Sequence, residues 1–399
     1  MSLANGRSHL AIPGPSVMPD RVLNAMHRAA PNIYDGPFVD MVPGIMRDLK
    51  AVARTAHHVA IYIANGHGAW EAAAANVFSR GDKALALATG RFAIGWADLA
   101  GRMGVDVEVM DFGTRSSVDP DRLAEQLRAD TNHEIKAVLT VQVDTSTSVR
   151  NDIVAIREAI DAAGHPALLM VDCIACLGCD VFEMDAWGVD VMVTGSQKGL
   201  MTPPGLGIVF FNDKADQARD RADCVTHYWD WRPRCAPEIF YQYFDGTAPT
   251  HHLYGLREAL DMIGEEGLEA VWARHSVLAR AVWAAAECWS AKGPLQLNVH
   301  APEHRSNAVS VFRMEGTEGE RLRAWTESKA GLTLGIGMEM PGSDFAAGEA
   351  CFRIGHMGHV NAHMIMAVLG TIEAGLIATD IPHGSGALSA AAAVLGRGA

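Results

Sequence analysis

Positive charge is scarce in this chain of 399 residues: 33 lysines and arginines stand against 47 aspartates and glutamates, a net charge of −14. That balance, with no Lys/Arg-rich run, excludes a binder of phosphate backbones, so no nucleic-acid partner is expected. No apolar stretch approaches the roughly 20 residues that cross a bilayer, so no membrane partner is expected either. Residues 1–15 lack a basic region followed by an apolar one, which gives no sign of a secretory leader, and the expected location is cytoplasmic. Cysteines are few and odd in number, seven in all, which argues against a disulfide framework. Three of them, Cys173, Cys176 and Cys179, have a C-x2-C-x2-C spacing met in iron–sulfur and zinc sites. They lie in an apolar run with no fourth ligand at suitable spacing. They read as small buried thiols, and no metal is expected.

What is present is a large supply of apolar residues, 49% of the chain, and a regular alternation. Apolar runs at 59–64, 84–88, 105–110, 137–143, 168–171, 189–193 and 207–211 are separated by helical patterns at 69–78, 92–103, 120–128 and 153–163. This alternation predicts an α/β fold with a mostly parallel seven-stranded sheet and helices on both faces. From residue 256 the pattern changes. A helical region 256–291, interrupted at 264–267, is followed by strand, helix, strand and helix at 308–312, 320–329, 350–354 and 362–378. The expected domains are 15–255 and a smaller α+β unit, 256–380 joined by 1–14. The Gly/Ser/Ala-rich tail 381–399 reads as a flexible end or a docked helix.

Ligands of parallel sheets bind beyond the carboxyl ends of the strands, and four features converge there. Lys198 follows the run 189–193 within Thr194-Gly-Ser-Gln-Lys198, ahead of a Pro-Pro-Gly turn. A lysine at the end of a buried strand is costly to desolvate, and its commonest chemistry there is a Schiff base. Asp172 ends another strand, where a buried carboxylate needs a positive partner such as a pyridinium N–H. Asn65-Gly-His-Gly68 opens a helix and presents backbone N–H groups to a phosphate. Phe92 follows a strand at Thr89-Gly-Arg-Phe92 and offers a ring for stacking. Lysine and aspartate in this arrangement are the recurring protein half of pyridoxal phosphate chemistry.

Longer motifs carry a resemblance. Pro13-Gly-Pro15, Gly66-His-Gly-Ala-Trp-Glu-Ala72, Gly195-Ser-Gln-Lys198 with Pro203-Pro-Gly205, Leu253-Tyr-Gly-Leu-Arg-Glu258 and Phe352-Arg-Ile-Gly355 together resemble the class V, fold-type I pyridoxal-phosphate aminotransferases of the alanine/serine–glyoxylate branch. The resemblance covers nearly the whole chain. It implies a homodimer with a shared active site and a role for each matching residue. Lys198 would carry the cofactor and act as acid and base. Asp172 would pair the pyridine nitrogen, Thr145 would reach the ring hydroxyl, and Phe92 and Ile174 would sandwich the ring. Asn65, Gly66, His67 and Gln197 would hold the phosphate, with Thr247 reaching over from the second subunit, and Arg353 would grip the substrate carboxylate. Asn65 departs from the family's usual Ser or Thr, and Phe244 stands where Tyr is common, with Tyr243 adjacent. Gln197 replaces the histidine that precedes the lysine in cysteine desulfurases.

The acceptor implied is glyoxylate, giving glycine. For the donor, Tyr228-Trp-Asp-Trp-Arg-Pro-Arg234 sets Arg232 and Arg234 beside aromatics, as a clamp for a second carboxylate would. The segment resembles aspartate–glyoxylate aminotransferases. The expected donor is therefore L-aspartate, with serine or alanine as alternatives and Tyr34 lining the pocket from the neighbouring subunit. A lyase or a non-catalytic protein on the same fold is the more distant alternative.

Overall fold

The computed structural model describes residues 2–338 and 350–398; Met1 and Ala399, the extremes of the expected N-terminal segment and tail, lie outside them. A short strand, β1 (His9–Ala11), leads into two helices, α1 (Asp20–Met26) and α2 (Pro37–Ala53). The main sheet then builds from β2 (His58–Ala64), β3 (Lys83–Ala88), β4 (Asp106–Asp111), β5 (Ile135–Val141), β6 (Leu168–Asp172), β7 (Val191–Gly195) and β8 (Gly205–Phe211). Its order is β2-β8-β7-β6-β5-β3-β4, and only β8 runs against its neighbours. Every strand lies within two residues of its expected range.

Side-chain alternation along these strands divides the core in two. Val59, Ile61, Leu85, Leu87, Leu169 and Val171 face one way, toward α2, α5 (Pro120–Ala129) and α6 (Ile153–Ala162). Ala60, Ala84, Ala86, Ala137, Met170 and Val191 face the other, toward α3 (Gly66–Val77) and α4 (Arg91–Arg102). The alanines on that second face meet the alanine run of α3, so helix and sheet approach closely. β4, at the sheet edge, is the strand that carries Asp106, Glu108 and Asp111, as edge strands that must resist further pairing do.

A second sheet, in the order β1-β11-β12-β10-β9, combines β1 with β9 (Gln296–Leu297), β10 (Val309–Arg313), β11 (Leu332–Ile336) and β12 (Cys351–Gly355). It has its own apolar core, shared with α10 (Leu268–Ser290), the helix Ala362–Ala378 and the closing helix Ala387–Gly398. The tail is therefore a docked helix, with Ala387 and Ala391 buried. The expected interruption at 264–267 is the boundary between α9 (Thr250–Glu266) and α10, where Gly267 has φ +86°.

β1, α1, α2, β9, β11 and the short helices of 212–249 have no counterpart in the sequence reading. α2 was hidden by Pro37 at its start and Pro43 within it, since proline signals breakage. Residues 212–249 hold only short pieces, α7 (Asp213–Ala218), α8 (Trp231–Cys235) and a turn of 3-10 helix, Phe240–Tyr243, too brief for periodicity to register.

Candidate active site

The carboxyl ends of β2, β3, β5, β6 and β7 lie along one edge of the main sheet and enclose a cavity of about 250 Å³. β7 delivers Lys198 through a loop that is tied to itself. The Ser196 hydroxyl donates to Pro203 O at 2.6 Å, and the Thr202 hydroxyl donates to Ser196 O at 2.9 Å. The N-terminal segment closes over this loop. Ser16 Oγ donates to Lys198 O at 2.7 Å, and Lys198 Nζ donates to Pro13 O. Gly14, with φ +102°, packs so closely that a Cβ there would lie 2.2 Å from Nζ. The Pro13-Gly-Pro15 motif thus takes on a role that its sequence did not disclose: it is a wall of the lysine pocket. Burial, with the nearby Arg353 cation, lowers the Lys198 pKa to about 8, against the pull of Asp172.

Asp172, at the end of β6, is buried. Its Oδ2 accepts from Trp70 Nε1 at 2.8 Å and its Oδ1 from Ile174 N at 2.6 Å. Burial raises its pKa to about 7 despite both donors. Phe92 and Thr145 are placed by a residue the sequence reading missed, the fully buried Asp144. Its carboxylate accepts from the backbone N–H of Phe92 (2.9 Å), Ala93 (3.3 Å) and Ser146 (2.9 Å). It thereby caps α4, whose own N-cap, Gly90, has no side chain to offer. Thr145 O in turn accepts from Arg353 Nη1 at 2.9 Å, while Arg353 Nε donates to Ile336 O at 2.6 Å. These two bonds aim the guanidinium from β12. Among the described residues they leave Nη2 for a ligand. Trp70 and Asp144 share one weak signal: a polar or aromatic residue a few positions from a motif residue, on the same strand end or helix turn.

At the other end of the cavity, the Asn65 side chain caps α3, its Oδ1 accepting from His67 N at 3.1 Å and Gly68 N at 3.3 Å. Gly66 packs against Ile174, and a Cβ there would lie 2.4 Å from Ile174 Cδ1 and push the isoleucine tip aside. Gln197 Oε1 is buried without a partner among the described residues. This donor set fits pyridoxal phosphate. A lysine and a buried carboxylate stand at one side, and a helix start with two N–H groups stands at the other. A phosphate bound there would take both N–H groups over from Asn65.

Five expected site residues do not line the cavity: Arg353, which meets its wall at Thr145 O, and four that lie elsewhere. Tyr34 is 88% exposed and Thr247 is also exposed. The clamp expected of Arg232 and Arg234 needs correction. Arg232 is bound at 2.9 Å to Asp216 and at 2.8 Å to Asp220. Arg234 is fully buried and donates to the backbone carbonyls of Tyr228, Ile61 and Tyr243, with the rings of Tyr62 and Tyr228 on its faces. A guanidinium has five N–H donors, and here four hydrogen bonds commit it to holding 228–243 against β2. Phe244 is a core residue and Tyr243 is partly buried. Cys173 and Cys176 are buried and both donate to Gln142 Oε1, at 3.4 and 3.1 Å; burial raises both pKa values.

The family model for class-V aminotransferases matches residues 41–362. Serine–glyoxylate aminotransferase of Methylorubrum extorquens is 38% identical over 394 residues, covering 96% of this chain and 95% of that protein. L-aspartate–glyoxylate aminotransferase of Paracoccus denitrificans is 36% identical over 383 residues, covering 96% and 94%. The crystal structure of pyridoxamine–pyruvate aminotransferase from Mesorhizobium loti superposes with a TM-score of 0.90 at 25% identity, over the whole of both chains. The chain belongs to the class V aminotransferases, fold-type I enzymes whose cofactor is pyridoxal phosphate.

Proposed function

We propose that this aminotransferase passes the amino group of a small L-amino acid to glyoxylate, forming glycine. The observation that carries the reading is Lys198 and Asp172 lining one cavity at the sheet edge, with Arg353 bonded to the wall residue Thr145. The glyoxylate acceptor is supported by the likeness to the Methylorubrum and Paracoccus enzymes.

Bound pyridoxal phosphate supplies an aldehyde that captures the amino group and a cationic ring that draws electrons from Cα. Asp172 holds the ring nitrogen protonated. Arg353 takes the substrate carboxylate in a charge-assisted pair and so turns the Cα–H toward Lys198. The Lys198 amine, neutral in a good fraction of molecules near pH 8, would take that proton from Cα and, as the ammonium, give it back on the far side of the substrate nitrogen. Glyoxylate then enters the same site, and the steps run in reverse.

For the donor, serine is our first reading. Serine–glyoxylate aminotransferases are among the relatives, and the two arginines expected to hold a second carboxylate have partners of their own. L-aspartate is the second reading, favoured by the Paracoccus relative. The reading includes a homodimer, in which the exposed Thr247 and Tyr34 reach the partner's cavity. The test is a panel of serine, alanine and aspartate with glyoxylate, followed by glycine formation. Serine is expected to give the highest kcat/KM. A tenfold preference for aspartate would replace the donor, and no glycine from any donor would sink the acceptor.

A further inference from the structure

Trp70 is one helical turn beyond Gly66 on α3, so it shares a helix with the phosphate end of the cavity. Its indole is 1% exposed and closely held. It stacks on Trp96 at 6.0 Å and 11°, and it meets the edges of His67 at 4.5 Å and Phe92 at 6.3 Å. From that position Nε1 points across the cavity floor to Asp172 Oδ2 at 2.8 Å. One rigid side chain therefore spans from the phosphate helix to the carboxylate at the far end of the cofactor site. We propose that Trp70 is a positioning residue for transamination, which orients Asp172 and holds it as the carboxylate so that its remaining lone pairs meet the cofactor's ring nitrogen. The proposal rests on the reading of Asp172 as the pyridine partner.

The physical argument starts from Asp172's surroundings. Lys198 favours its charge, while Asp144 opposes it. The thiols of Cys173 and Cys176 lie behind it and are neutral in the physiological range. Asp172 is only 2% exposed. Two hydrogen bonds, from Ile174 N and Trp70 Nε1, are what remains to favour the anion. The Ile174 bond comes from a neighbour in sequence, whereas the Trp70 bond comes from another element and is absent from any other aromatic residue except one with a ring N–H. A charged acceptor gains more from such a bond than a neutral one does, so its removal shifts Asp172 toward the protonated form. A protonated Asp172 cannot pair with a pyridinium, and cofactor affinity then falls as pH drops through the Asp172 pKa.

The test is equilibrium dialysis of the whole protein against graded pyridoxal phosphate from pH 5.5 to 9, comparing the parent with Trp70→Phe. Titration of Lys198 and of free cofactor is common to both and cancels. The expected result is a binding knee moved up by about one pH unit, hence about tenfold weaker binding on the acid side and equal binding at pH 9. In an Asp172→Asn background, Trp70→Phe should change nothing. Weaker binding by the same factor at every pH, or no change at all, would show an indole that only packs and would overturn the proposal. Asp172→Asn separates the two readings. If it leaves the pH dependence intact, the pyridine-partner reading falls and takes this one with it. If it removes the dependence while Trp70→Phe does not shift it, only the role of Trp70 falls. Should Trp70→Phe not fold, 15N-tryptophan labelling of the unsubstituted protein asks the same question. One indole N–H resonance should titrate with the midpoint of the binding knee, and the absence of any such resonance would overturn the proposal.

Discussion

At the scale of single residues, the site is a set of ionisable groups taken out of water and kept beside one another. Asp172 has a folded pKa of about 7 against an ordinary 3.8. Between those values the folded protein binds more protons than the unfolded chain, so this group's contribution is fully present below pH 3.8 and is lost as pH rises through 7. Without cofactor, Asp172→Asn should therefore unfold at a higher temperature than the parent at pH 8, with the gap shrinking toward pH 4. The shift corresponds to a difference on the order of 4 kcal/mol. Thermal melts of the cofactor-stripped proteins at pH 4, 6 and 8 measure it, and a gap independent of pH would contradict the assignment. Arg234 is the opposite case, a buried cation whose worth is structural. Arg234→Ala leaves backbone carbonyls unpaired and opens a cavity, and should cost about 3–5 kcal/mol. Arg232→Ala, in half-exposed ion pairs, should cost at most about 1 kcal/mol. Urea titration ranks the two. Neither change should alter the ratio of kcat/KM for aspartate to that for serine, which steady-state kinetics of the Arg232 variant alone would already contest.

At the scale of elements, the strand ends deliver the chemistry and the segments between them fix its geometry. β6 and β7 bring Asp172 and Lys198 to the same edge because parallel strands end together. Lys198 is then walled by residues 13–16, which come from the far end of the chain. Gly14→Ala sets a methyl group against the lysine side chain in a backbone conformation, φ +102°, that alanine rarely adopts. The expected outcome is a folded protein, unchanged by far-ultraviolet circular dichroism, with activity reduced at least tenfold and impaired cofactor absorbance. Full activity would mean that the segment moves freely off the lysine.

At the scale of the molecule, two cores are coupled at the site. Arg353 belongs to the second sheet, yet it donates to Thr145 in the loop after β5 of the first, so the placement of its guanidinium depends on how the two sheets are docked. The closing helix covers α10 with Leu388, Val394 and Leu395 partly buried against the second core. Ending the chain at residue 385 should remove a few kcal/mol of apolar burial. The expected change is a melting temperature lower by several degrees, at about 2–4 °C per kcal/mol, with KM for the amino donor raised more than the cofactor's Kd. An unchanged melting point would show that the helix adds nothing to the second core.

The sheet, its parallel sense and the glycine, lysine and aspartate at its edge were legible in the sequence because each has a local signature. A continuous apolar run marks a strand buried on both faces, and Gly66 or Lys198 stands two or three residues beyond one. By itself the chain also determined the family, through motifs such as Gly195-Ser-Gln-Lys198 whose residues are neighbours. Tertiary structure alone decided which side chains serve those residues. Trp70 reaches Asp172 across 102 positions, Pro13 meets Lys198 across 185 and Arg353 meets Thr145 across 208, and no local pattern records such pairings. It also decided against the arginine clamp. The sequence places Arg232 and Arg234 beside aromatics, but where a guanidinium spends its donors depends on which carbonyls and carboxylates folding brings within 3 Å of it.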